Sequence, residues 1–160
     1  MKSNKMIAVP AGNDDSEIIV SVSGGKDSTA LACAIREAGI KARYAFADTG
    51  WEADETYEHL GVIERALGIT IDRVQSKHGG MEAIARQKAA FPFRGQRWCT
   101  RALKVEPLRA YHDRVAEDAD ADTISVVGIR AEESDERAAM AEFEYDDKWG
   151  GYVWRPIQRW

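Results

Sequence analysis

The chain has 160 residues, 44% hydrophobic and 31% charged, a composition that excludes a disordered polymer and suits one domain with its own core. Its 27 acidic and 22 basic residues leave a net charge of −5, which argues against general nucleic-acid binding and against attraction to an anionic membrane. Two cysteines, Cys33 and Cys99, are too few for a disulfide framework or a four-cysteine metal site, and no apolar run approaches the roughly 18 residues of a bilayer span.

In chain order, residues 1–15 read as a tail or a short leading element. Pro10-Ala11-Gly12-Asn13-Asp14-Asp15 is a loop by its turn residues, and Met1 to Met6 lacks the apolar stretch of a signal peptide, so a cytoplasmic location is expected. Glu17-Ile18-Ile19-Val20-Ser21-Val22-Ser23 is a β-branched run between turn residues and reads as a buried strand. Ser23-Gly24-Gly25-Lys26-Asp27-Ser28 then turns the chain into a helix over residues 28–38, with Asp27 or Ser28 as its N-cap and Gly39 beyond its last turn. A second strand is expected from Ala42 to Ala47, a loop at Asp48-Thr49-Gly50-Trp51, and a helix from Asp54 to Leu67 closed by Gly68. Ile69 to Val74 reads as a third strand, and Gly79-Gly80 leads into a helix from Met81 to Ala90. After a loop from Phe91 to Cys99, a helix runs from about Thr100 to Glu117, with Pro107 kinking or splitting it. Thr123 to Ile129 is a fourth strand, and Glu142 to Ile157 resembles a hairpin turned at Lys148-Trp149-Gly150-Gly151.

Strands alternating with helices predict an α/β fold: one three-layer α/β/α domain over residues 1–160, with a mostly parallel twisted sheet of about five strands. Right-handed crossovers bring the C-terminal ends of parallel strands to one edge, and ligands bind there, where the strand order switches.

The sharpest motif is Ser23-Gly24-Gly25-Lys26-Asp27-Ser28. Its glycines permit a tight turn and a close approach to an anion, and the helix behind it aims unpaired N–H groups and the positive end of its dipole at the loop. The hydroxyls of Ser23 and Ser28 add donors, Lys26 adds charge, and Asp27 is a helix cap or a magnesium ligand. A Walker A loop is excluded, because Val20 and Asp27 stand where that motif needs Gly and Ser or Thr. The plain alternative is a capped strand–turn–helix connection.

Other candidates carry paired readings. Asp48, at the end of the second strand, contacts ribose or magnesium, or is a turn carboxylate. Arg94, Arg97, Arg101 and Lys104 fall within eleven positions around Cys99; they clamp a polyphosphate or form a solvated helix face. Arg130 lies at the ligand-binding end of the fourth strand, and Arg137 either joins it or pairs with Glu133 four residues earlier. Cys99 is a nucleophile activated by cationic neighbours, or a packing residue. Trp51 stacks on a base or forms an apolar lid. Cys33 reads as core. His59, His78 and His112 share no metal-ligand spacing and read as surface or capping residues.

Ser23 to Ser28 resembles the SGGxDS pyrophosphate loop, or PP-loop, of the adenine nucleotide α-hydrolase-like superfamily. That superfamily includes ATP pyrophosphatases, the small subunit of bacterial ATP sulfurylase and phosphoadenosine phosphosulfate (PAPS) reductases. The PAPS reductase family is the most similar. Asp48-Thr49-Gly50-Trp51 with Glu55-Thr56-Tyr57 is similar to its DTG-aromatic-x-x-x-E-T-Y segment. Cys99, Arg101, Lys104-Val105 and Pro107-Leu108 resemble its C-x-x-R-K-V-x-P-L segment, with Ala102 and Leu103 standing inside it. Gly128-Ile129-Arg130 with Ser134 and Arg137 is similar to G-x-R-x-x-x-S-x-x-R, and Pro156-Ile157 with Trp160 to P-I-x-x-W. The family's C-terminal Glu-Cys-Gly-Leu-His segment, whose cysteine attacks sulfur, has no counterpart before Trp160, so a fragment or a naturally short member is expected.

The resemblance implies an enzyme that binds ATP or a PAPS-like adenine nucleotide, with magnesium; no iron–sulfur cluster is expected, because Cys99 cannot hold one alone. It implies action at the α-phosphate, in adenylylation or sulfur transfer to an unidentified acceptor. Lys26, Arg130 and Cys99 are the implied catalytic residues. Thiol-dependent reduction of a sulfonucleotide through Cys99 is one alternative. A nucleotide-binding module without turnover, within a larger sulfur-modification complex or a homodimer, is another.

Overall fold

The computed structural model describes residues 7–93 and 98–160. Its sheet has six strands: β1 (Glu17–Ser21), β2 (Arg43–Asp48), β3 (Ile71–Gln75), β4 (Thr123–Val126), β5 (Phe143–Asp146) and β6 (Gly151–Trp154). They lie in the order β3-β2-β1-β4-β6-β5, all parallel except β5, which runs antiparallel to β6. The helices are α1 (Lys26–Glu37), α2 (Asp54–Leu67), α3 (Met81–Lys88), α4 (Trp98–Thr100), α5 (Glu106–Ala119) and α6 (Asp135–Ala138).

β1 is central because its apolar run suits both faces of the sheet. Ile18 and Val20 join α1 and α2 side chains (Leu31, Ile35, Leu60, Ile63) in the main core. Ile19 points the other way, onto Tyr111 and Val115 of α5. The period of two along β1 therefore specifies the three layers. Each of these fully buried aliphatic side chains contributes about 1.5–3 kcal/mol by leaving water.

Six strands replace the expected five because the hairpin docks on the sheet. β6 extends the parallel array beside β4, with Val126 opposite Trp154, and Val153, Trp154 and Ile157 are buried there. A free two-stranded hairpin is marginal in water, so this docking supplies its stability.

The expected helix around Pro107 is interrupted. Between α4 and α5, Arg101–Val105 form a π-helical turn, with the Glu106 amide bonded to the Arg101 carbonyl. Pro107 then sits in the first turn of α5, where its missing N–H costs nothing. α1 also starts earlier than predicted. Its N-cap is Gly25, with extended backbone (φ −79°, ψ 162°) and no capping side chain, rather than Asp27 or Ser28.

Two buried-or-exposed assignments are reversed. Cys33 is only half-buried, on the flank of α1 rather than its core stripe. His112 is buried, against its reading as a surface or capping residue. Its Nδ1 shares a 3.0 Å hydrogen bond with Thr123 Oγ1, and its ring meets Trp149 edge-on at 5.1 Å. Burial pushes its pKa down to about 4. His59 and His78 are exposed. Among the described residues no helix is long and apolar enough to cross a membrane.

Candidate functional site

The strand order reverses at β1, since β2 and β3 lie to one side and β4 to the other. The parallel pairing of β1 with β4 (Ile19 opposite Ser125, Val20 opposite Val126) brings their outgoing loops together. One is Ser23–Ser28 and the other is Gly128–Arg130. This is the crevice that a parallel sheet offers to a ligand.

The first loop is shaped by its own residues. Gly24 has φ +78°, a left-handed conformation that needs glycine, and its α-carbon packs toward Thr56 and Leu60 of α2. The Ser28 hydroxyl donates to the Gly25 carbonyl at 3.0 Å and accepts from the Ser23 amide at 3.1 Å, with Ser23 Oγ a further 3.1 Å away. Both serines thus spend their hydroxyls in holding the loop. The amides of Gly24, Gly25, Lys26 and Asp27 make no hydrogen bond among the described residues. Lys26 is exposed beside them and makes no ion pair there.

The second loop closes on the first through a glycine. A Cβ at Gly128 would stand 3.0 Å from the Asp27 carbonyl oxygen and 3.1 Å from the Ser28 amide. A side chain there would force this backbone contact to give by a few tenths of an ångström. Two residues on, the guanidinium of Arg130 pairs with Asp27 at 2.8 Å and with Glu132. Asp27 is therefore neither the helix cap nor a free carboxylate. No group of three metal-ligating side chains occurs among the described residues, so no magnesium-dependent step is derived from them.

Asp48 is placed at the same edge but is occupied. Its Oδ1 accepts from the Gly50 amide at 2.9 Å and the Tyr57 hydroxyl at 2.7 Å, and its Oδ2 from Gln75 at 2.8 Å. Burial raises its pKa, but these hydrogen bonds and the charge of Arg73 outweigh burial and hold it below the ordinary value. The same contact pushes Tyr57 up to about 12. Through the Gly50 amide Asp48 caps its own turn. The Asp48–Trp51 loop is fastened to α3 as well: the Met81 amide donates to the Thr49 carbonyl at 2.8 Å, and a Cβ at Gly80 would lie 2.9 Å from that oxygen.

Among the described residues, the remaining candidates make no hydrogen bond or ion pair with the PP-loop. Arg101 pairs with Glu106 across the π turn at 3.0 Å and is 83% exposed at its side chain. Arg137 pairs with Glu133, its alternative reading. Lys104 is exposed, and neither it nor Arg101 makes an ion pair or hydrogen bond with the loop. Cys99 is half-buried in α4. Arg94 and Arg97 lie outside the described residues. Trp51 is 59% exposed and tilts against Phe91 at 6.4 Å, beside a cavity of about 450 Å³ that also touches Ala85 and Ala89.

Sequence reasoning missed Gln75 and gave no role to Tyr57 or Gly128, although both stand in the motifs that carry the resemblance; Tyr57 and Gln75 hold Asp48. Tyr57 had a signal, standing in the first turn of the helix that follows Asp48. Gly128 had a weaker one, a glycine just past a buried strand.

The chain is 35% identical over 122 residues to an uncharacterized protein of Methanocaldococcus jannaschii, covering 76% of this chain and 24% of that protein. It is 34% identical over 96 residues to a probable chloroplastic 5'-adenylylsulfate reductase of Oryza sativa subsp. japonica, covering 59% of this chain and 20% of that protein. The chain thus spans a quarter or less of the length of these two relatives. Among solved structures, phosphoadenylyl-sulfate (PAPS) reductase from Candida auris, in a phosphate complex, superposes with a TM-score of 0.64 at 17% identity, covering 90% of this chain and 66% of that one. The family model of the phosphoadenosine phosphosulfate reductase domain matches residues 17–160, and with the PP-loop, the Asp48 turn and the Arg130 loop in place on this sheet, the chain belongs to that family.

Proposed function

We propose that this protein is a PP-loop enzyme that holds an adenine nucleotide, ATP or a PAPS-like compound, across the crevice between β1 and β4 and acts at its α-phosphate. The observation that carries this reading is the row of four unpartnered amides from Gly24 to Asp27 at the start of α1. The first N–H groups of a helix have no acceptor within it. A run of them at a helix start is an anion cradle.

The roles follow from position. The Gly24–Asp27 amides bind the diphosphate, and the Lys26 ammonium neutralises part of its charge. Arg130, now on Asp27 and Glu132, faces the cradle from the opposite wall and has guanidinium donors for a phosphate oxygen. With ATP, an acceptor forms its new bond to the α-phosphorus and gives its proton to solvent, the bond from that phosphorus to the bridging oxygen breaks, and pyrophosphate leaves with the electron pair; with a PAPS-like compound the same displacement releases sulfate. Lys26 and Arg130 stabilise the charge that grows on that oxygen. Membership of the PAPS reductase family supports the nucleotide class.

The test is titration calorimetry with ATP, PAPS, adenosine phosphosulfate and adenosine, each with and without magnesium. Magnesium is a variable because the Asp27 carboxylate is shared with Arg130. Phosphate-bearing nucleotides are expected to bind at least about tenfold more tightly than adenosine, as loss of charge-assisted hydrogen bonds requires. Absence of binding by every phosphate-bearing compound overturns the reading. Sulfite release from PAPS that disappears in Cys99→Ser moves the chemistry to thiol-dependent reduction.

A further inference from the structure

The segment that follows Arg130 is held from within by polar contacts: the Arg130 amide donates to Glu133 at 2.9 Å, Arg137 pairs with Glu133, and the Arg137 amide donates to Ser134 Oγ at 3.2 Å. It contains a 3-10 turn (Ala131–Glu133) and the four-residue α6, and neither has a buried side chain. A helix this short does not sustain itself in water. Apolar burial therefore does not fix where Arg130 points.

Gln158 does touch both ends of that segment. It is 2% exposed and follows Ile157, which is buried in the main core. Its backbone carbonyl accepts from the Ala131 amide at 2.8 Å. Its side-chain amide donates to the Arg137 carbonyl at 3.0 Å and to the Met140 carbonyl at 2.6 Å. These carbonyls close the C-terminal end of α6, and the Ala131 amide opens the segment directly after Arg130. The side-chain oxygen of Gln158 is buried without a hydrogen bond, so the side chain serves here through its two donors.

We infer that Gln158 is a positioning residue: by stapling residues 131–140 to the core, it holds the Arg130 guanidinium against the PP-loop in the place where a phosphate would meet it. This rests on the nucleotide site proposed above, and Gln158 itself touches no ligand.

Two variants test it. Gln158→Met keeps the length and removes both donors. Gln158→Glu sets a carboxylate oxygen against two carbonyls and regains one donor when protonated. Hydrogen exchange at the amides of residues 131–140 is expected to speed up in Gln158→Met while that of β1 stays unchanged. ATP affinity is expected to fall about 5- to 20-fold, the equivalent of one or two lost hydrogen bonds. That loss should vanish when Gln158→Met is combined with Arg130→Met, since the effect runs through Arg130. In Gln158→Glu the affinity relative to wild type should recover as pH falls. An equal loss in the Arg130→Met background overturns the inference, as does unchanged exchange over 131–140. If the wild type binds no ATP, the proposed function fails, and the exchange measurement alone decides the role of Gln158. Should Gln158→Met not fold, the pH-dependent recovery of Gln158→Glu carries the decision.

Discussion

Two adjacent glycines in the PP-loop do different work. Gly24 needs its missing side chain for the fold, because its φ of +78° strains any other residue and an added Cβ would press on Thr56 at 3.3 Å. Gly25 has an ordinary extended backbone, and an added Cβ would meet only Ser23 Oγ at 3.5 Å. The space before Gly25 is therefore open to a ligand. Gly24→Ala is expected to destabilise the protein by about 1–2 kcal/mol in urea denaturation, from the left-handed backbone alone. Gly25→Ala is expected to cost about 1 kcal/mol or less as a poorer N-cap, yet to abolish nucleotide binding in calorimetry. Equal loss of stability with binding intact in Gly25→Ala would contradict this division. Asp48 shows why residue roles were only partly legible in the sequence. That it sits at the site's edge follows from the end of β2. That Tyr57 and Gln75 occupy its oxygens depends on α2 and β3 meeting there, which no local pattern records.

At the scale of the element, His112 gives α5 a pH dependence. Its imidazole is buried between Thr123 and Trp149 and titrates near pH 4 in the fold, against about 6.5 in the unfolded chain. A folded pKa below the unfolded one means that the unfolded state takes up the proton first. Stability is then complete above pH 6.5 and is lost as pH falls toward 4, by about 3 kcal/mol from this group. Thermal melts between pH 7 and pH 4 should show that loss, and His112→Asn should flatten this part of the curve. The location of β1, α2 and β4 was legible because each carries its own periodicity and its own turn residues. The π turn was not. Between Cys99 and Pro107 the chain has one residue more than the segment it resembles, and a wider turn absorbs it while keeping Leu103 fully buried. Arg101 pairs with Glu106 across that turn, a contact that spacing alone does not show, so the basic cluster could not be resolved into clamp and surface from the sequence.

For the molecule as a whole, the docked hairpin decides whether the sheet is one cooperative unit. Trp154 ends β6, is 2% exposed, and stands opposite both Val126 of β4 and Phe143 of β5. Trp154→Ala is expected to cost about 3–5 kcal/mol. Urea unfolding followed by tryptophan fluorescence and by circular dichroism should still give one coincident transition, shifted to lower denaturant. Separate transitions would show the hairpin to be an appendage. Arg155, 3% exposed, reaches back from this strand to Glu144 at 2.8 Å and to the Ala141 carbonyl at 2.9 Å, and the turn after it delivers Gln158 to the Arg130 segment. The order of events on the ribosome follows from this threading. The Ser23–Ser28 loop and β1 are made before β4, so β1 waits for its partner on that side of the sheet. The clasp on Arg130 comes later still, when residue 158 clears the exit tunnel. A nascent chain paused before that point carries Arg130 without the Gln158 contacts on the segment behind it, and it should be the form most open to proteases and chaperones.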